Sequence, residues 1–321
     1  MKKPRCFLRN HWKLLVGLAF LLVCSGCSIT ALVFHKKLRN ADYIEEWQDG
    51  NGTVLTNIVY DSERTLKYDL FLPPPSAENE TPTGAMLFIH GGAWKSGKKE
   101  DMTFACRRFV KQGYVTATMD YTLFKEGEKM SFFTILDDIG RCLEHLRDTA
   151  KANHHPIKAV ALSGISAGGH LAMLYAYSRA NTSPVPIAFV FQQVGPSFFL
   201  KDAWPDHPDL SFGLTKAGAG IEMSREEYDS GIKFEAVKSI SPALLVNEHT
   251  VPTIAAYGGK DPLVPTPHAE KLCKALEEYN VPHVFIIYPH SGHFLCEDPD
   301  CAKKYREAIL EYCRKHFAPS K

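Results

Sequence analysis

The sequence has almost no net charge, because 37 Lys and Arg residues are balanced by 36 Asp and Glu residues to leave a formal charge of +1 at pH 7. It also has no basic patch interleaved with aromatic residues, the combination that marks a nucleic-acid-binding surface. A polyanionic partner, and nucleic acid above all, is therefore not expected. Internal repeats and low-complexity tracts are absent as well, which excludes solenoids and repeat arrays.

Clustered cysteines and histidines are also lacking, although the chain has nine cysteines. Three belong to the N-terminal segment, and the remaining ones are scattered: Cys106, Cys142, Cys273, Cys296, Cys301 and Cys313. A chain of this length needs no disulfide framework. Cys296 and Cys301 have a spacing that would allow a disulfide in an oxidising compartment. No group has the spacing of a zinc site, so no metal is expected.

A long apolar run at residues 14–34 lies between basic residues near the N-terminus. Five Lys and Arg residues precede it and three follow it, an asymmetry that predicts the N-terminus on the cytoplasmic side of a membrane and the following chain on the outer side. The run is long enough to span a bilayer, so one interpretation is an uncleaved membrane anchor. The basic flanks and the terminal position disfavour an internal core helix.

A second interpretation ends the apolar run near Val23 and treats residues 24–28 as a processing site. Cleavage before Cys27 would make this cysteine N-terminal and available for lipidation, and the pattern resembles a bacterial lipoprotein signal. Both interpretations predict a catalytic region tethered to the membrane outside the cytoplasm. We expect residues 1–40 to be this signal or anchor, 41–53 a linker and 54–321 one catalytic domain.

Strand and helix patterns alternate through the predicted catalytic domain. Residues 54–60 and 66–72 predict an antiparallel pair of edge strands, and residues 85–89 form an apolar run typical of a strand buried on both faces. A further strand is predicted directly before residue 166, and others at 114–119, 187–194, 253–257 and 283–288. Helices are predicted at 101–112, 132–152, 167–179, 266–279 and 299–317. The alternation predicts an α/β fold with a mostly parallel sheet and helices on both faces. Residues 195–239 lose the pattern and predict an irregular cap insertion.

The chain is organised around a short segment in which an apolar strand pattern ends at Gly164 and a helix pattern begins at Ala167. Ser166 lies at the turn, and Gly164 and Gly168 leave room for the strained conformation that a sharp strand-to-helix turn imposes. The first turn of the following helix offers N–H groups and a positive dipole end to a developing anion. The segment predicts a serine nucleophile, with a glycine-rich turn without chemistry as the alternative.

A serine nucleophile needs a base, and the base needs an acid that orients it. Asp261 follows a predicted strand that ends at Tyr257, and His293 follows one that ends near Tyr288. Because the carboxyl ends of parallel strands meet at one edge of a sheet, both side chains are expected beside Ser166. The predicted catalytic residues are therefore Ser166, Asp261 and His293.

Both partners have rivals nearby in the sequence. His290 competes with His293, but it lies closer to the end of its strand and has less loop with which to reach Ser166. Three acidic residues compete with Asp261, but they follow the histidine and have the pattern of a helix cap. They are Glu297, Asp298 and Asp300.

A glycine pair follows the strand predicted at residues 85–89, within the motif His-Gly-Gly-Ala-Trp at 90–94. Glycines let the backbone approach a carbonyl oxygen closely, so the motif predicts N–H donors for an oxyanion hole. The predicted oxyanion-hole residues are Gly91, Gly92, Ala93 and Ala167.

Aromatic residues are concentrated in the predicted insertion and in the glycine motif. They have two equal interpretations, as walls of a substrate pocket or as a small core of the insertion itself. The candidate pocket residues are Trp94, Phe198, Phe199, Trp204 and Phe212.

Together the His-Gly-Gly-Ala-Trp motif, the Gly-Ile-Ser-Ala-Gly-Gly segment at 164–169, Asp261 and His293 resemble an α/β-hydrolase. More narrowly, the chain resembles serine esterases and lipases of the His-Gly-Gly-x-Trp type, which include carboxylesterases, acetyl-xylan or feruloyl esterase-like proteins and kynurenine formamidases. The resemblance covers roughly residues 58–317. The alanine at position 93, where many lipases have a third glycine, fits the smaller esterase branch.

The resemblance implies that Ser166 attacks an ester carbonyl, that His293 passes the proton to the leaving alcohol and that Asp261 orients His293. It implies no cofactor and no metal. We expect a membrane-tethered esterase for short-acyl esters, such as acetyl or aryl groups on carbohydrates, because the catalytic region is predicted outside the cytoplasm. The alternatives are amide cleavage, as an arylformamidase or exopeptidase-like hydrolase, and a non-catalytic hydrolase relative that binds a ligand.

Overall fold

One sheet of eight strands runs through the part of the chain that the computed structural model describes, residues 47–48, 50–74, 83–125 and 130–317. In chain order the strands are β1 (Thr53–Asp61), β2 (Leu66–Leu72), β3 (Thr83–Ile89), β4 (Val115–Met119), β5 (Ile157–Ile165), β6 (Ile187–Gln193), β7 (Thr253–Gly258) and β8 (His283–Tyr288). They lie in the order β1-β2-β4-β3-β5-β6-β7-β8. β2 pairs antiparallel with β1 and β4, and the other described pairs are parallel. The predicted α/β class with a mostly parallel sheet is confirmed.

Helices connect the strands and cover both faces of the sheet. In chain order they are α1 (Thr103–Val110), α2 (Phe132–Ala152), α3 (Ala167–Arg179), α4 (Pro208–Ala219), α5 (Arg225–Asp229), α6 (Phe234–Ser239), α7 (Pro242–Leu245), α8 (Pro267–Glu278) and α9 (Pro299–His316). The ranges predicted for α2 and β8 coincide with the observed ones. The helix predicted at 101–112 is shorter, because Lys99–Met102 form a 3-10 turn before α1 begins.

Successive side chains of β3 enter two cores on opposite faces of the sheet. Leu87 belongs to the core that contains Leu171 of α3 and the buried face of α2. Phe88 belongs to the other core, with Phe109 of α1 and Ile309 of α9. Because strand side chains alternate between faces, a strand covered by helices on both sides is apolar throughout. This packing fixes the positions of the strand ends from which the functional loops begin.

The insertion predicted to be irregular at residues 195–239 is largely helical, and this prediction was wrong. Pro208 is the first residue of α4, and Gly220 ends that helix in the left-handed conformation. Ser224 and Glu227 form a reciprocal capping box at the start of α5. The prolines and glycines that broke the pattern are therefore helix start and stop signals.

Hydroxyl groups tie the helices of this insertion to its own first segment. The carbonyl oxygen of Phe199 accepts hydrogen bonds from Ser211 Oγ at 2.9 Å, from Thr215 Oγ1 at 3.0 Å and from Tyr228 OH at 2.8 Å. All three hydroxyl-bearing side chains are buried. The insertion thus has a packed interior of its own.

The N-terminal edge of the domain includes part of the predicted linker. β1 begins at Thr53, and the ring of Trp47 lies edge-on to Phe71 with centroids 6.0 Å apart. Within the described ranges, no helix is both long and apolar enough to cross a membrane. The predicted signal or anchor at 1–40, with the apolar run and Cys27, lies outside the described residues.

Cys296 and Cys301 do not form a disulfide. The thiol of Cys296 donates to the carbonyl oxygen of Phe294 at 3.1 Å, whereas that of Cys301 donates to the carbonyl oxygen of Ile287 at 3.6 Å. The two sulfur atoms therefore contact different parts of the chain.

Candidate active site

Ser166 occupies the sharp turn between β5 and α3, with φ 56° and ψ −121°. A positive φ is strained for a residue with a Cβ, so the surrounding chain must impose it. An added Cβ at Gly164 would lie 2.3 Å from the carbonyl carbon of Gly168, and one at Gly168 would lie 2.0 Å from the carbonyl oxygen of Ile89. Both glycines are therefore required for the close packing of this turn, as the sequence predicts.

The structure brings Ser166, His293 and Asp261 into one hydrogen-bonded chain. Ser166 Oγ lies 3.0 Å from His293 Nε2, and His293 Nδ1 lies 2.7 Å from Asp261 Oδ2. Because an ionised carboxylate only accepts hydrogen bonds, Nδ1 carries the ring proton and Nε2 accepts the serine hydroxyl. This arrangement is that of a nucleophile, a general base and an orienting acid.

Both oxygen atoms of the Asp261 carboxylate accept hydrogen bonds. Oδ2 accepts the hydrogen bond from His293, while Oδ1 accepts the backbone N–H groups of Leu263 at 2.8 Å and Val264 at 3.0 Å. The Asp261 side chain is 0% exposed and that of His293 is 11% exposed. A buried carboxylate with all of its oxygens bonded cannot rotate away from the histidine, so the ring orientation is fixed.

The rival pair His290 and Asp298 also forms a hydrogen bond, but the His290 ring faces solvent. His290 Nδ1 lies 2.7 Å from Asp298 Oδ1, and the His290 side chain is 71% exposed. His293 is therefore the histidine that reaches Ser166.

Asp298 is the N-cap residue of α9, as the sequence predicts, but its side chain makes no capping hydrogen bond to that helix. It accepts hydrogen bonds from the backbone N–H of His290 at 3.1 Å and from Ser291 Oγ at 2.6 Å, besides the His290 ring. Burial opposes ionisation, but these hydrogen bonds outweigh it and hold the pKa of Asp298 below its usual value. Asp298 thus fixes the start of the loop that carries His293.

The loop after β3 places backbone N–H groups beside the nucleophile. Gly92 has φ +111° and Ala93 has φ 51°, and the carbonyl oxygen of Gly92 accepts the N–H of Ser96 at 3.0 Å. Because the N–H of a trans peptide points opposite to its C=O, the Ala93 N–H is directed away from this turn. An added Cβ at Gly91 would lie 3.4 Å from Ser166 Cβ, so the loop adjoins the nucleophile.

The second predicted donor is Ala167, the first residue of α3 and the neighbour of Ser166 in the chain. The first N–H groups of a helix have no partner within it, and the positive end of the helix dipole favours negative charge there. The glycine loop and the start of α3 therefore meet at Ser166, as an oxyanion hole requires.

His90 and Lys99 are buried on either side of the loop that contains Gly91 and Gly92, here called the glycine loop. Sequence reasoning assigned neither of them a role. His90 Nδ1 donates to the carbonyl oxygen of Gly91 at 2.8 Å, and its ring stacks on Tyr121 with centroids 4.2 Å apart. Burial lowers the pKa of His90 to about 4, so the ring is neutral at pH 7. At the other end, Lys99 Nζ forms a buried ion pair with Asp69 at 2.9 Å. A lysine in a polar loop gives no sequence signal of such burial.

Comparisons with known proteins agree with this fold. The BD-FAE family profile matches residues 68–205, and the dienelactone hydrolase family profile matches residues 217–316. A truncated carbohydrate esterase from gut microbiota is similar with a TM-score of 0.66 at 18% identity, over 85% of this chain and 99% of that one. Esterase B from Lactobacillus rhamnosis has a TM-score of 0.69 at 18% identity, over 91% of this chain and 93% of that one.

The chain has the α/β-hydrolase fold. A curated relative, the putative carboxymethylenebutenolidase of Yersinia pestis, is 22% identical over 209 residues, which are 61% of this chain and 64% of that protein. The chain covers less than two thirds of the length of the first curated relatives it matches.

Most aromatic residues predicted to line a pocket of this hydrolase are buried: Trp94, Phe198, Phe199 and Trp204 almost fully, and Phe212 by half. Phe199 lies between Trp94 and Trp204, with centroid distances of 6.2 and 5.5 Å. Trp204 Nε1 donates to the carbonyl oxygen of Leu263 at 2.9 Å, two residues after Asp261. The aromatic cluster thus packs the insertion against the acid loop, and its role as a pocket wall stays a prediction.

We predict that Gly92→Ala lowers kcat by about 10²- to 10³-fold, the usual effect of losing one oxyanion-hole donor. The added Cβ would lie 2.1 Å from the carbonyl oxygen of Ser96, so the loop must shift and move the Ala93 N–H. Gly113→Ala is the matched control, because Gly113 also has a positive φ, +89°, but has no atom within 4 Å of an added Cβ. Equal activity of the two variants would contradict the role of this loop.

We predict that Asp298→Asn lowers kcat by about 10- to 100-fold with little change in KM, because a small misplacement of a catalytic group costs this much. An amide NH₂ cannot accept the hydrogen bonds from His290 or Ser291, so the His293 loop loses part of its anchor. Asp300→Asn removes the same charge from an exposed position two residues away and should leave kcat unchanged. A loss of thermal stability with wild-type kcat would show that Asp298 does not position His293.

Proposed function

We propose that this protein is a serine hydrolase that cleaves carboxylic esters through a Ser-His-Asp triad and an acyl-enzyme. The hydrogen-bonded chain from Ser166 through His293 to Asp261 carries the proposal. The esterase relatives and the BD-FAE match support ester hydrolysis over other reactions.

Acylation follows from the direction of these hydrogen bonds. His293 Nε2 removes the proton of Ser166 Oγ as the oxygen attacks the ester carbonyl, and the imidazolium that forms is stabilised by the Asp261 carboxylate. The N–H groups of Ala93 and Ala167 stabilise the oxyanion, an effect worth about 2.7–4 kcal/mol per donor. His293 then gives its proton to the leaving alcohol, which leaves the acyl group on Ser166.

Deacylation uses the same groups in the reverse order. His293 removes a proton from a water molecule that attacks the acyl carbonyl, and the same N–H groups stabilise the second oxyanion. Collapse of this intermediate returns the proton to Ser166 Oγ and releases the acid. No step draws on a group beyond the side chains, the backbone and water.

The proposed substrates are short-acyl esters, with acetyl or aryl groups on carbohydrates as the first class. Trp94 follows the glycine loop directly and is buried against Phe132 and His170, with centroids 4.9 and 5.3 Å away. We take this aromatic bulk beside the oxyanion loop as support for the short-acyl class. The similarity to a carbohydrate esterase supports the carbohydrate part.

We predict that the full-length chain hydrolyses p-nitrophenyl esters with a maximum at short acyl groups, and that it releases acetate from acetylated oligosaccharides. Ser166→Ala should lower kcat by about 10⁴- to 10⁶-fold, since the nucleophile is removed. Ser178→Ala, at an exposed position of the same helix, is the matched control and should retain full activity.

The outcomes separate the proposal from its alternatives. Turnover of aryl formamides or short peptides without ester hydrolysis would favour an amidase. Ligand binding that survives Ser166→Ala, without turnover of any ester or amide, would favour a non-catalytic relative. Activity on simple aryl esters without acetate release from oligosaccharides would remove the carbohydrate part alone.

We also propose that the N-terminal segment tethers the enzyme to the membrane with the catalytic domain outside the cytoplasm. The basic flanks of the apolar run support the orientation, and Cys27 supports lipidation. In a bacterial host, a metabolic lipid label should be incorporated into the wild-type chain and into Cys24→Ala, but not into Cys27→Ala. Recovery of the unlabelled wild-type chain in the soluble fraction would contradict the tether.

A further inference from the structure

Three metal-ligating side chains lie together at the junction of α8 and β8, apart from the catalytic residues. Cys273 and Glu277 are one helical turn apart on α8, and His283 is the first residue of β8. One potential ligand atom of each lies within 4.8 Å of the other two. Sequence reasoning found no metal site, because only the turn between α8 and β8 brings the histidine to the helix.

The distance between the first two ligands matches a tetrahedral site. Cys273 Sγ lies 3.7 Å from Glu277 Oε1. With a zinc–sulfur bond of about 2.3 Å and a zinc–oxygen bond of about 2.0 Å, a tetrahedral angle places these atoms roughly 3.5 Å apart. A cation between them therefore needs only a small side-chain adjustment, and water would complete the coordination.

The tautomer of His283 also suits a ligand. His283 Nδ1 lies 2.8 Å from the carbonyl oxygen of Val281, and since a carbonyl can only accept, Nδ1 carries the proton. The lone pair is then on Nε2. A metal-bound histidine commonly donates its other ring N–H to a carbonyl or carboxylate in this manner.

The local charge favours a cation. The last turn of α8 contains no basic residue and ends in Glu277 and Glu278, and the carbonyl groups at the end of a helix add partial negative charge. Binding of a divalent cation would exchange the thiol proton of Cys273 for a metal–sulfur bond, with release of one proton.

We propose that Cys273, Glu277 and His283 bind a divalent cation of the zinc type. A thiolate, an imidazole and a carboxylate are the ligand types that Zn²⁺ accepts in proteins, whereas Mg²⁺ and Ca²⁺ prefer oxygen ligands alone. The ion joins the end of α8 to the start of the edge strand β8. His293 follows the opposite end of β8, so the ion stabilises the edge of the sheet and takes no part in ester hydrolysis.

Cobalt titration of the full-length chain tests this site, because Co²⁺ occupies zinc sites and gives a thiolate-to-cobalt charge-transfer band. We expect the band to saturate at one Co²⁺ per chain and to be reversed by Zn²⁺. Zn²⁺ should also raise the Tm. Ester hydrolysis, measured in parallel, should be the same with and without the ion.

Variants decide whether these three residues are the ligands. Cys273→Ser should abolish the band and the zinc-dependent rise in Tm, and His283→Gln should weaken binding by more than about 100-fold, the upper range for loss of an outer partner. Cys301→Ser removes another partly exposed thiol and should change neither. No charge-transfer band in the wild-type chain, or a band that survives in Cys273→Ser, would overturn the proposal.

Discussion

The chemistry of this protein depends on one constraint, the meeting of three parallel strands at their carboxyl ends. β5 delivers Ser166, β7 delivers Asp261 and β8 delivers His293, and β3 brings the glycine loop to the same edge. The residues of the Ser–His–Asp chain are far apart in sequence, since His293 follows Ser166 by 127 positions. In this protein a sheet packed on both faces holds them within hydrogen-bond distance.

Local strain is concentrated where this edge becomes reactive. Ser166, Ala93 and Gly92 all have a positive φ, which costs roughly 1–2 kcal/mol for each residue with a Cβ. The neighbouring structure stabilises these conformations through the close contacts of Gly164 and Gly168 and through the hydrogen bond from the buried His90 to the carbonyl oxygen of Gly91. The packing around the site therefore favours one backbone arrangement, with the N–H groups already directed before a substrate binds.

Predictions from the sequence were most accurate where they depended on a local pattern. The alternation of strands and helices predicted the fold class, and the residues after each strand predicted Ser166, Asp261 and His293, which the structure brings together. It failed at residues 195–239, where the start and stop signals of short helices were mistaken for irregular chain. It also missed contacts that depend on tertiary folding, such as Asp298 with Ser291, the buried Lys99 and the Cys273–Glu277–His283 group. These residues carry no local signal, because their partners are distant in sequence or are joined only by a turn.

The most direct measurement of the central claim is covalent labelling with a small alkyl fluorophosphonate, followed by mass spectrometry of the intact chain and of its peptides. The account predicts one adduct per chain, located on Ser166, because among the described residues only this hydroxyl is hydrogen-bonded to a histidine that an acid orients. The rate of labelling should fall strongly in His293→Ala, since the base is then absent. Absence of an adduct, or an adduct on another residue with Ser166 unmodified, would contradict the assignment of Ser166 as the nucleophile.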